Sequence, residues 1–121
     1  MSERDAIEPG ARLSERDRRK AANEALFRLV NERLEGLNET LGVVAGTFSV
    51  VCECDDERCV EQIAIPREVY EAARARPDVF ILRPGHGTPK VEVVIEDHEE
   101  WQLVQKRPGG PADFAAKTSP R

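Results

Sequence analysis

The chain has 121 residues, 40% of them hydrophobic and 34% charged, with a formal net charge of −5 at pH 7. That length suits one domain with some chain left over for tails, and no apolar run approaches the roughly 18 residues of a membrane span. The charged start MSERDAIEPG is unlike a secretory leader, which predicts a cytoplasmic chain, and acidic side chains concentrate in 47–106, which opposes binding to a phosphate backbone.

Residues 1–13 mix charges with Pro9 and Gly10 and show no period, so a mobile arm is expected there. Ser14 followed by Asp17 forms a variant capping box ahead of a long helical pattern. Phe27, Val30, Leu34, Leu37 and Leu41 recur at three- and four-residue spacing and predict one apolar stripe on a helix over 15–41. The stripe could pack on a sheet, or part of it could form a seam with a partner protein or a second copy of the chain. Gly42 would end the helix, or Gly36 earlier.

The run TFSVVCEC predicts a strand, the acidic DDER (55–58) a turn, and CVEQIAI (59–65) a returning strand of the same hairpin. Pro66 suits a helix start, with Val69, Tyr70 and Ala73 on one side, and Pro77 stops that helix. VFILR (79–83), KVEVVIE (90–96) and WQLVQK (101–106) predict three more strands, with PGHGTP a loop after the first of them and DHEE a connection before the last. The segment 107–121 is rich in turn formers and predicts a disordered tail. The order α-β-β-α-β-β-β, with hairpin-linked strands, predicts a single α+β domain over 14–106 with a mostly antiparallel sheet.

All three cysteines, Cys52, Cys54 and Cys59, fall within eight residues. An odd number of thiols in a reducing compartment disfavours a disulfide framework. Cys52 and Cys54 lie two apart on an extended segment, so their thiols leave one face, and the turn folds Cys59 back over it. Three converging sulfurs lack one ligand for a closed Cys₃His zinc site. His86, between glycines and prolines, is the first choice; His98 in the acidic DHEE connection is the second, and Asp55, Asp56 or a water the third. The C-x-C-x₄-C spacing is not the familiar C-x₂-C knuckle, so two other readings stay open. The thiols could be inert packing residues, or Cys54 and Cys59 could form a reversible bond in a redox sensor. The four acidic neighbours oppose a reactive thiolate and favour a cation. No phosphate-cradling glycine loop, H-E-x-x-H or G-x-S-x-G motif is present, so the chain is not expected to be an enzyme.

The runs NEALFRLVNERLEGL and CECDDERC, the PGH loop and the hairpin containing His98 resemble a group of small bacterial proteins of no assigned activity. The resemblance spans about 23–106. Asn23, Glu24, Phe27 and Arg28 match in the helix, Cys52, Glu53, Cys54 and Cys59 in the cysteine segment, and Pro84, Gly85, His86 and His98 further on. The chain departs from the group in its turn, which is Asp55-Asp56-Glu57-Arg58 where a small residue and a proline are usual. The resemblance implies ligand positions, slightly favouring His86 over His98, and no activity. These observations together predict a small non-enzymatic zinc-binding domain with a regulatory or protein-interaction role. Its alternatives are a thiol redox sensor and a zinc enzyme with an open coordination site in which His86 serves as a base.

Overall fold

The computed structural model describes residues 13–40 and 47–121. In chain order it comprises α1 (Glu15–Thr40), β1 (Thr47–Val51), β2 (Gln62–Pro66), α2 (Arg67–Arg74), β3 (Val79–Leu82), β4 (Glu92–Asp97), β5 (Gln102–Lys106) and α3 (Gly110–Lys117). The α+β class and the element order through β5 agree with the sequence pattern. The expected arm at 1–12, Leu41 and Gly42 lie outside the described residues.

The strands form two antiparallel sheets rather than one. β1 pairs β2 with Val50 opposite Ile63, and β5 lies between β3 and β4. Val50, Ile63, Ile65 and all four residues of β3 are buried, forming the core with Tyr70, Leu103 and Val104. Glu53 joins the sheets. Its backbone N–H donates to Ile81 O (2.8 Å), and its carboxylate accepts from Ile81 N–H (3.0 Å). The edge of β3 is thereby satisfied without another strand.

α1 begins where the sequence indicates, with the Asp17 N–H donating to Ser14 Oγ at 3.1 Å. Its packing reverses the expectation. The buried row is Glu24, Arg28, Asn31 and Glu35, spaced by four, three and four residues along one side. Phe27 and Leu34 are half-buried, whereas Val30 and Leu37 are exposed together with Leu26 and Leu29. The physical reason is that the surface under α1 is rich in polar groups. Asn31 covers the side of β1, accepting from Val51 N–H and donating to Val51 O, each at 2.7 Å. Glu35 pairs with Arg67 at 2.7 Å. Lys106 reaches Glu24 at 2.8 Å and also pairs with Glu92. Buried charges held by partners in this way give an orientation that periodicity alone does not detect.

The expected disordered tail is also corrected, since 110–117 is α3. Pro111 sits in its first turn, and Pro111 and Ala115 are buried. Arg28, fully buried, anchors it by donating to Ala115 O (2.8 Å), Thr118 Oγ1 (3.1 Å) and Pro77 O (2.6 Å). Arg121 pairs with Glu32 and Glu71. A helix of eight residues has little intrinsic stability, and tertiary contacts account for its presence.

Candidate metal centre

The cysteines lie in the connection between β1 and β2, not on the strands themselves. The ladder continues one rung past β1, where Cys52 N–H donates to Glu61 O at 2.9 Å. The chain then reverses at Asp56, whose side-chain Oδ1 accepts from Arg58 N–H (2.9 Å) and whose carbonyl accepts from Cys59 N–H (2.9 Å). An aspartate that satisfies the backbone two residues on is a common way to close such a turn. The acidic run therefore has a local structural role.

His86 comes from the loop between β3 and β4. Its N–H donates to Arg83 O at 3.1 Å, closing a turn with Pro84 and Gly85 at the centre. Gly85 has φ +84°, a backbone conformation that favours glycine, as the third position of a type II turn requires. The turn aims the imidazole at the cysteines.

One atom from each of Cys52, Cys54, Cys59 and His86 falls in a group whose members all lie within 4.8 Å of one another. His86 Nδ1 is 3.5 Å from Cys52 Sγ and 3.7 Å from Cys59 Sγ. Tetrahedral zinc with Zn–S of about 2.3 Å and Zn–N of about 2.0–2.1 Å would separate sulfur from nitrogen by about 3.6 Å. The donor set and its spacing thus fit a closed Cys₃His site. All three cysteines are free thiols and buried. The His86 side chain keeps 28% of its surface exposed, so the group meets solvent on the imidazole side.

Surrounding groups orient these donors. Arg83 N–H donates to Cys52 Sγ at 3.2 Å, and backbone hydrogen bonds from Asp56 and Glu61 reach Cys54 and Cys59. On the far side of the imidazole, Nε2 is 3.4 Å from a Glu61 carboxylate oxygen, and Glu61 pairs in turn with Arg83 at 3.4 Å. A carboxylate on the outer nitrogen fixes the histidine tautomer, leaving Nδ1 as the donor. Within the cluster, the hydrogen bond from Cys52 holds the Cys54 thiol down to about 5. The same bond, followed by burial, pushes Cys52 up, and burial foremost raises Cys59. One thiolate beside two thiols results, and metal binding would release the remaining thiol protons.

His98, the second choice for a fourth ligand, is not part of the cluster. It pairs with Glu96 at 3.0 Å and stacks on Trp101 with ring centroids 3.8 Å apart. Asp55 turns instead to Thr88, whose Oγ1 donates to it at 2.9 Å. The sequence reading missed Glu61 and Arg83. Glu61 two residues after Cys59 was the one available sign, and it is indistinguishable from an ordinary exposed strand residue until His86 is placed.

Comparison of the chain with family models, with curated proteins and with solved structures returns no match. The functional reading rests on the geometry of the site itself.

Proposed function

We propose that the chain is a non-enzymatic zinc-binding domain in which Cys52, Cys54, Cys59 and His86 hold Zn²⁺ and tie the β1–β2 connection to the loop after β3. The observation that carries this reading is the position of His86 Nδ1, 3.5 and 3.7 Å from two cysteine sulfurs. Inert packing thiols have no need of an imidazole whose outer nitrogen is held by a carboxylate. Four protein donors leave no position for a substrate or activated water, which favours a stabilising metal over a catalytic one. Free thiols suit a reducing compartment, and the proposed location is cytoplasmic; among the described residues no helix is long and apolar enough to cross a membrane. The proposed role is protein interaction or regulation. The exposed Leu26, Leu29, Val30 and Leu37 on α1 would be the contact surface for another protein molecule.

Native mass spectrometry of chain purified without chelator or affinity nickel tests the metal reading. A mass about 63 Da above the apo value, one zinc added and two protons lost, is the expected result. The thiol-switch reading draws on the lowered Cys54 thiol beside two others, and a loss of about 2 Da would favour it. An unmodified mass refutes both.

A further inference from the structure

The buried charges that hold α1 to the body do not balance at its N-terminal end. Lys106 Nζ donates to both carboxylate oxygens of Glu24, at 2.8 and 2.9 Å, and to Glu92 Oε1 at 2.5 Å. One ammonium with three N–H donors therefore serves two carboxylates, and all three groups are more than nine-tenths buried. The other cations nearby are engaged elsewhere. Arg28, one turn along α1, gives its terminal N–H groups to Pro77, Ala115 and Thr118 and lies over the Phe80 ring at 4.2 Å. Lys20 faces Asp55 at 3.7 Å, and Lys90 faces Asp17 at 2.9 Å. A buried negative charge without its own counter-charge is expensive. Burial foremost, with Glu92 adding to it against Lys106, accordingly lifts the Glu24 carboxyl to about 8.

Glu24 does not face a closed interior. It lines a cavity of about 290 Å³ bounded by the start of α1, the stretch from Thr88 to Val91, the end of β5 and Pro111. Ala21, Val91 and Pro111 supply apolar wall, and Asp55 is a second carboxylate on the lining. The volume lies near the lower end of the range for small-molecule sites.

We propose that this cavity binds a small organic cation bearing a primary ammonium group, which supplies Glu24 with the counter-charge that Lys106 divides between two carboxylates. An anion would meet Glu24 and Asp55 without a free N–H from Lys106 to accept. A hard metal ion would need about six oxygen ligands, and both Glu24 oxygens are already engaged by Lys106. The ammonium replaces the proton that Glu24 otherwise holds, so each binding event releases up to one proton. The inference does not depend on the metal reading.

Calorimetric titration of the full-length chain with n-propylammonium chloride tests it, with potassium chloride and sodium propionate at matched ionic strength as controls. Saturable binding of propylammonium alone is expected, with a heat that varies with the ionisation enthalpy of the buffer because a proton leaves. Amide shifts in the wild-type NMR spectrum should centre on Ala21, Glu24, Thr88 and Val91. Glu24→Gln should weaken binding at least about tenfold, through loss of one charge-assisted contact. Equal responses to potassium, binding of propionate instead, shifts centred elsewhere, or an unaffected Glu24→Gln would each overturn the proposal. If that variant does not fold, the wild-type shift map decides.

Discussion

Replacing Glu53 by glutamine tests whether the polar seam under α1 carries the fold. The Glu53 carboxylate accepts from Asn31, Ile81 N–H and Arg74, so one side chain links α1, β3 and α2. Arg74 depends on it. Only 1% of Arg74 is exposed, its Nε and Nη1 atoms have no hydrogen-bond partner, and its other close neighbour is the face of Tyr70 at 5.1 Å. Glutamine keeps the shape and one acceptor but leaves the guanidinium without a counter-charge. Breaking a buried pair from one side costs about 3–5 kcal/mol. At this chain length that amounts to a fall in Tm of roughly 12–20 °C. Arg74→Met should cost a similar amount by stranding the carboxylate. The double variant should be destabilised by clearly less than the sum, with a coupling of about 2 kcal/mol or more. Denaturant unfolding of the four proteins, all metal-loaded or all stripped, measures the cycle. Single losses under about 1 kcal/mol, or strict additivity, would refute the assignment of Glu53–Arg74 as the joint between the layers.

Metal retention after dialysis should fall in His86→Ala and be unchanged in His98→Ala; the opposite pattern would reassign the fourth ligand. Glu61→Gln should lower metal affinity by about 10–100-fold without unfolding the chain, as outer partners of metal-bound histidines typically do, and competition with a chromophoric chelator reads this directly. The Glu24 carboxyl is raised from 4.5 to about 8 in the folded state, so the folded chain binds the proton more tightly than the unfolded chain does. Stability from this group is present at low pH and is lost as pH rises from about 4.5 toward 8. Glu24→Gln should flatten that decline in a series of melts, and an unchanged slope would show that Glu24 is ionised throughout. Truncation after Lys106 removes two of the three acceptors of the Arg28 guanidinium. It should destabilise the chain by at least about 3 kcal/mol, whereas a dispensable tail would leave the unfolding midpoint in place.

The parts of this protein that the sequence determined by itself are those whose causes are local. Period-two alternation places β1 and β2 together, Ser14 and Asp17 start α1, and the Pro84–Gly85 pair makes the turn that presents His86. The cysteine cluster is legible for the same reason, because a reversal of a few residues brings three sulfurs together, and only the choice between His86 and His98 required the fold. Tertiary structure alone decided the rest. Glu24 and Lys106 are 82 residues apart, and Arg28 and Ala115 are 87 apart. A charge reads as a surface residue until such a distant partner is in place. For that reason the apolar residues of α1 indicated the wrong face, and 107–121 looked structureless until the Arg28 guanidinium was there to hold it. Burial of a hydrophobic side chain is favoured by almost any apolar surface, whereas burial of an ion depends on one particular counter-group, which local pattern cannot supply.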